Sequence, residues 1–409
     1  MPLQSLIKET IPLQGFKVVS VERMSFCIHV LIKPDRRYLP CCGRCANPGK
    51  FRDHRSKRQF QHMPVWGIAV YLSYTPRRVT CKHCQGVYVE RMPWAAGKRR
   101  FTIAMACYLA SWAKLLPWIE VARLFQCSWA TVASSVAHVV EYGLANRDLT
   151  GITHIGIDEI ARRKGHRYLT TVYDLRTRKL IWAGEGRSEQ TLKKFFEFLG
   201  SERTRQLKGV CCDMWMPYIN VISSEVPNAV MVFDKFHIVR HLMQAVDQVR
   251  RNEIKEKGDS HKQVLKHTRY IWLKNPWNLS SKQKQRLGAL EKLNLKINRA
   301  YLLKECFRSF WSYKYKACAE KYLNKWFWWA THSRLKPLRN FAWMLRRHQT
   351  NILSYFQLPI TNGSVEGLNN KAKVISRRAY GFRSISGHIN NLYHCMADLP
   401  WPYQLHSFP

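Results

Sequence analysis

The spacing of apolar positions changes character several times along the chain. Before residue 95 the apolar positions come in short stretches, and Val65-Trp66-Gly67-Ile68-Ala69-Val70-Tyr71-Leu72 reads as β-strand. From Phe101 onward the pattern is helical. Beyond Thr150 alternation returns in His154 to Asp158, Tyr168 to Tyr173 and Lys179 to Gly184, separated by polar turns such as Asp174 to Arg178. These three predict an antiparallel meander. A helix over about Glu189 to Leu199, an apolar strand from Leu207 to Cys212, a short helix after Pro217 and a strand from Ala229 to Phe233 follow. From about Val239 to Pro359 the chain is helical and basic, and a last helix resumes near Ser364.

The order βββαβαβ is that of a ribonuclease-H-like sheet, here interrupted by an all-helical insertion. The fold class expected is therefore α/β multidomain. The divisions expected are 1–95, 96–150, 151–238 (first part of the core), 239–360 (insertion) and 361–409 (last part of the core). In such a sheet the first and fourth strands are neighbours, so Asp158 and Asp213 face one another although 55 positions apart in sequence. Glu159 points to the opposite face of its strand and Asp174 lies in a turn, so both read as bystanders. Asp234 and His237 fall at the end of the fifth strand, where His237 is a candidate to position a phosphate or move a proton. Glu366 opens the last helix, and its face continues through Asn369, Asn370 and Lys373 toward Arg377 and Arg378; these cations and Lys371 are candidates to hold DNA phosphates. Three carboxylates held still on one site suit two divalent cations, Mg²⁺ or Mn²⁺, and such a site performs phosphoryl transfer on nucleic acid. Trp272, Trp277, Trp311, Trp326, Trp328, Trp329 and Trp343 of the insertion read mostly as core packing rather than as a platform for single-stranded DNA.

Thirteen cysteines matter because of how four are spaced. Cys42-Gly43-Arg44-Cys45 and Cys81-Lys82-His83-Cys84 are two Cys-x-x-Cys knuckles, which together complete one structural zinc site of a ribbon. Cys41 could replace Cys42, and His54, His62 or His83 could replace one thiolate. Ile119 to Val132 has the form of a helix-turn-helix: Ala122 lets the helices approach, Leu124 or Phe125 fills the space between them, Gln126-Cys127 makes the turn and Ser128 caps the second helix. Gln126 stands where a glycine is usual. The second helix, from Ser128 to about Val139, would enter a major groove with Trp129, Ala130 and Ser134 toward the bases.

Charge narrows the partner. With 67 Lys and Arg against 27 Asp and Glu, the chain carries a formal +40 and a pI near 10.1, which points to a polyphosphate. A packing protein that merely coats nucleic acid seldom combines this charge with 46% hydrophobic residues, enough for real cores. No window reaches the ~18 apolar residues of a membrane span and the first ten residues lack a secretory core, so a cytoplasmic, nucleoid-associated protein is expected.

Ile157-Asp158-Glu159, Cys212-Asp213-Met214, Asp234-Lys235-Phe236-His237 and Ser364 to Lys371, ending in Arg377-Arg378-Ala379-Tyr380-Gly381-Phe382, resemble the DDE transposases of bacterial insertion sequences. The zinc ribbon in front points to the ISL-three family. The resemblance spans nearly the whole chain. It implies cutting of double-stranded DNA at the element's terminal inverted repeats and joining of the ends to target DNA. It further implies Asp158, Asp213 and Glu366 as the metal-binding triad, and a homodimer or larger assembly on DNA. Two rivals remain: a catalytically silent DNA-binding regulator derived from such an enzyme, and a structure-selective nuclease on the same sheet.

Overall fold

The computed structural model describes residues 13–95, 97–163, 167–361, 363–382 and 384–402; the side chains of residues 163, 167, 257, 259–261 and 364–366 lie outside the description. The chain forms two compact units, residues 1–148 with 375–409, and residues 149–374. The segment expected as one C-terminal piece of the core, 361–409, is thus divided within a helix. Its last helix packs instead on the helices of the first unit, where buried His394 Nε2 hydrogen-bonds the Ala110 carbonyl at 2.8 Å.

In the first unit, strands β1 (Phe16–Arg23), β2 (Cys27–Pro34), β4 (Arg58–Val65) and β5 (Ile68–Tyr74) form a sheet of order β1-β2-β5-β4, in which β2 and β5 run parallel. Its core is Val18, Ile28, Val30, Ile32, Phe60, Val70, Leu72, Tyr74 and Trp94. The stretch read as a single strand over Val65 to Leu72 is in fact a hairpin. Trp66 (φ 51°) and Gly67 (φ 78°) both adopt left-handed backbone, which a two-residue turn of the right twist demands. A second sheet of three strands holds β3 (Lys50–His54), β6 (Arg77–Cys81) and β7 (Gly86–Val89).

Three helices follow: α1 (Ile103–Leu115), α2 (Trp118–Leu124) and α3 (Trp129–Asn146). Between α2 and α3, Gln126 takes φ 48°, the conformation for which a glycine is usual, and Ser128 Oγ accepts from the Thr131 amide at 3.1 Å as an N-cap. Val121 and Ala122 are buried. Phe125 packs edge-on to Tyr108 of α1 at 5.1 Å, whereas Leu124 is exposed. The second helix runs seven residues beyond the expected end at Val139, to Asn146.

The second unit is built on a five-stranded sheet of β8 (His154–Arg163), β9 (Arg167–Asp174), β10 (Lys179–Glu185), β11 (Gly209–Cys212) and β12 (Val230–Phe233), in the order β10-β9-β8-β11-β12. The first three pair antiparallel, and β8, β11 and β12 run parallel. Helices α4 (Glu189–Leu199), α5 (Ser201–Arg205) and α6 (Met216–Glu225) fill the connections. From α7 (Lys235–Lys257) the chain is helical through α8 (Asp259–Leu265), α9 (Arg269–Leu273), α10 (Ser281–Glu291), α11 (Lys296–Ser309), α12 (Lys316–His332), α13 (Lys336–Arg347) and α14 (Gln349–Leu353). Their core is continuous with that of the sheet. Trp272 and Trp326 are buried and Trp311 and Trp329 pack against the core, but Trp277, Trp328 and Trp343 are each more than half exposed. Helix α15 (Gly363–Arg378) carries the boundary between the units, and α16 (Ile385–Met396) belongs to the first. Among the described residues no helix is long and apolar enough to cross a membrane.

Candidate metal and nucleic-acid sites

Strand register places the first acidic group. In the parallel pair β8–β11, Gly209 lies opposite His154 and Cys211 opposite Gly156, so two more steps along both strands bring Asp213 level with Asp158. On the other side Cys212 pairs with Phe233, and the Asp234 amide donates to the Cys212 carbonyl at 3.0 Å. Asp213 and Asp234 therefore sit side by side where their strands end. Asp234, expected at the end of the fifth strand, directly follows β12 and also caps α7, its carboxylate accepting from the Phe236 amide at 3.3 Å, while His237 lies in the helix's first turn. That turn brings His237 Nδ1 within 3.0 Å of Asp213 Oδ2, and Nε2 within 3.8 Å of Asp234 Oδ2. One ligand atom from each of Asp213, Asp234 and His237 falls within 4.8 Å of the others, close enough to share an ion.

Asp158 is held from two directions. Its Oδ1 accepts from the Glu159 amide at 2.6 Å, and its Oδ2 accepts from Asn369 Nδ2 on α15. Asn369 is itself buried and fixed by Tyr173, whose hydroxyl donates to Asn369 Oδ1 at 3.2 Å. Burial pushes the Asp158 carboxyl up to about 7; the Glu159 amide opposes this, Asp213 adds to it and His237 opposes it. For His237 burial is the largest single influence and works toward the neutral ring, but the hydrogen bond to Asp213 and the charges of Asp213, Asp158 and Asp234 together outweigh it and raise the group. The residues fit a divalent cation. Asp213 Oδ1 is buried with no hydrogen-bond partner among the described residues, and Asp158 is a carboxylate whose surroundings, burial foremost, favour the protonated form that a cation would displace.

Glu159 departs from its expected part. It does point away from Asp158, but it is mostly buried, with Oε1 3.7 Å from Arg187 Nε, and it feels Asp213 and His237. Burial raises it while Arg187 and Tyr218 hold it down. It belongs to a network at the edge of the site. Asp174, expected in a turn, is instead the buried last residue of β9, paired with Ile155 and Lys179, and its carboxylate accepts from the Arg176 amide at 3.0 Å. Glu366 lies in α15, with its side chain outside the described residues. Lys371, Lys373 and Arg377 are exposed, and Arg378 is half-buried, donating to the Leu115 carbonyl at 2.9 Å. Trp129 and Ala130 are exposed, while Ser134 is half-buried and accepts from Arg99 Nε at 3.3 Å. Sequence reasoning passed over Asn369 as a site residue; its place one helical turn after Glu366 was the available signal.

The four cysteines Cys42, Cys45, Cys81 and Cys84 converge, with all sulfurs within 4.8 Å of one another. A tetrahedral zinc thiolate requires sulfurs about 3.8 Å apart, and Cys45 and Cys81 stand at 3.6 Å. Each knuckle aims a backbone amide at its first sulfur, Arg44 to Cys42 and Cys84 to Cys81, both at 3.4 Å. Each is followed by a left-handed residue, Ala46 (φ 61°) and Gln85 (φ 49°). Hydrogen bonding to Cys45 foremost pushes the Cys84 thiol up to about 12, a crowding that a cation would relieve. The alternatives fall outside the group: Cys41 Sγ donates to the Leu39 carbonyl, and buried His62 pairs with Thr102 at 2.9 Å. His54 packs on Phe51, and His83 Nδ1 stands 4.0 Å from the Cys84 sulfur.

Comparison with known proteins identifies the family. A family model described as a transposase, of the DDE type and ISL3 family, matches residues 155–392. A second, described as the zinc-finger of the transposases of IS204, IS1001, IS1096 and IS1165, matches residues 39–84. The chain is 30% identical over 383 residues to the transposase for insertion sequence element IS1001 of Bordetella parapertussis, covering 91% of this chain and 93% of that protein. It is also 30% identical over 378 residues to the transposase for insertion sequence element IS1557 of Mycobacterium tuberculosis, covering 86% and 85%. The chain belongs to the ISL3 family of insertion-sequence transposases.

Proposed function

We propose that this transposase cuts double-stranded DNA at the terminal inverted repeats of its element and joins the ends to target DNA, using Asp158, Asp213 and Glu366 on a ribonuclease-H-like core as ligands for Mg²⁺ or Mn²⁺. The observation that carries this reading is the hydrogen bond from Asn369 to Asp158, which ties α15 to the sheet carboxylates. Glu366 is three residues before Asn369 in that helix, and positions three apart share a helical face. Two cations bound there would supply an activated water or 3′-hydroxyl and steady the leaving oxygen. Asp213 offers its unpartnered Oδ1 as a ligand, while Asn369 and Tyr173 hold Asp158 in one orientation. His237, bonded to Asp213 and shifted toward its charged form by that bond and the neighbouring carboxylates, stands beside the site.

The zinc ribbon on Cys42, Cys45, Cys81 and Cys84 and the α2–α3 hairpin read the ends, with Ser128, Trp129 and Ala130 at the exposed start of α3. Half-buried Ser134 sits two turns on. Lys371, Lys373 and Arg377 bind the phosphates, with Arg378 divided between DNA and the fold. Pairing two ends calls for a homodimer or larger assembly on DNA, and the chain works in the cytoplasm on the nucleoid. The test incubates the protein and its Asp158→Asn variant with Mg²⁺ and the DNA flanking its own gene, and maps every new 3′ end by sequencing. Breaks at paired inverted repeats that vanish in the variant, with binding retained, are expected. Cleavage that survives in Asp158→Asn overturns the assignment, and binding without breaks by the unaltered protein would indicate a silent regulator.

A further inference from the structure

Two residues beyond Asp213, the chain carries an aromatic side chain that the active-site chemistry leaves unexplained. Trp215 is 39% exposed, although its ring is fixed. The Arg187 guanidinium stands 4.3 Å from the Trp215 ring centroid and 5.0 Å from that of Tyr168. Trp215 Nε1 donates to the Arg187 carbonyl at 3.4 Å, and Arg187 is paired with Glu159 at 3.7 Å. Tyr168, Arg187, Glu159 and Trp215 thus form a braced stack that spends a cation and a mostly buried carboxylate on holding one exposed indole. Such rigidity is wasted on a surface ring without a partner, because exposed apolar area gains nothing from being oriented. Met216, next to Trp215, and Phe236, next to His237, are exposed as well.

We infer that Trp215 is a stacking platform for a nucleotide base next to the phosphate being cut, and that this base leaves the duplex to reach it. Two residues of chain span at most about 7 Å, so the platform lies within a nucleotide's reach of Asp213. A flat π-face accepts any base, and the cation behind it strengthens the stack. The partner is DNA because the chain is strongly cationic and the adjoining carboxylates suit metal-bound phosphate. The inference rests on the proposed cleavage site.

The Asp158→Asn protein, which should bind without cutting, is mixed with Mg²⁺ and duplexes from the DNA flanking its gene, with iododeoxyuridine placed singly around the mapped or suspected cut. Irradiation and peptide mapping are expected to find a crosslink to Trp215 from one position beside the cut. Trp215→Ala should weaken binding of that end by roughly 5- to 150-fold, the range expected for losing one base–aromatic stack. Trp215→Phe, which keeps a stacking face, should restore most of it, and circular dichroism of both variants separates lost stacking from lost fold. Crosslinks that avoid Trp215, or a folded Trp215→Ala protein that binds like the parent, overturn the platform. Cutting by the unaltered protein without the crosslink defeats this inference alone. A Trp215 crosslink in a protein that never cuts sustains it and defeats the cleavage reading.

Discussion

At the scale of single residues, the telling group is Asp158, on which burial and function pull in opposite directions. A carboxyl raised from 3.8 to about 7 keeps its proton in the folded chain and gives it up on unfolding between those values. In the metal-free protein this disfavours the folded state as pH rises from about 4 to about 7, by about 4 kcal/mol in all. A divalent cation bound as proposed would take the proton's place, so Mg²⁺ would compete with H⁺ at this group. The rise in Tm on adding Mg²⁺ should therefore be larger near pH 8 than near pH 5.5, and Asp158→Asn should flatten the difference. An equal Mg²⁺ shift at both pH values in the unaltered protein would remove Asp158 from the ligand set.

At the scale of elements, the ribbon sheet β3-β6-β7 depends on its cysteines for structure. Its buried side chains are Cys42, Val79 and Cys81, with Cys45, Cys84 and Tyr88 packed against them. So little apolar material cannot offset the entropy of ordering three strands, and metal binding supplies the difference. Cys81→Ala should reduce bound zinc from one ion per chain to none and melt this sheet. Gly43→Ala should loosen zinc in a chain that retains all four ligands, since a Cβ there would stand 2.4 Å from the Val89 carbonyl oxygen. Zinc release to a chelating dye measures both, and full retention of zinc by Cys81→Ala would dismiss the ribbon as a metal site.

For the whole molecule the governing quantity is the charge of +40. Each phosphate neutralised contributes about −0.9 to the slope of log affinity against log salt. Binding of end DNA should weaken steeply with salt, by about a thousandfold between 50 and 200 mM for some six phosphate contacts. A salt titration of the equilibrium constant checks this, and a flat line would place the positive charge away from DNA. The cations most prominent in the sequence are not equivalent in this respect. Lys371, Lys373 and Arg377 are exposed, but Arg378 is partly engaged by the Leu115 carbonyl and should contribute less.

What the sequence determined by itself is whatever depends on local pattern: the strand and helix order of the second unit, the neighbouring of β8 and β11, the two cysteine knuckles, the cap at Ser128 and the polyanionic partner. Spacing and periodicity carry these because each is set within a few residues or by the order of elements. Tertiary structure decided the rest. The turn at Trp66-Gly67 is hidden in an apolar run, and the division of 361–409 between two units leaves no mark in composition. The closure of His237 on Asp213, the bond from Asn369 to Asp158 and the bracing of Trp215 by Arg187 join positions 24, 211 and 28 residues apart. Such pairs are made by strand register and helix packing, and no local spacing encodes which side chains those will bring within 3–4 Å.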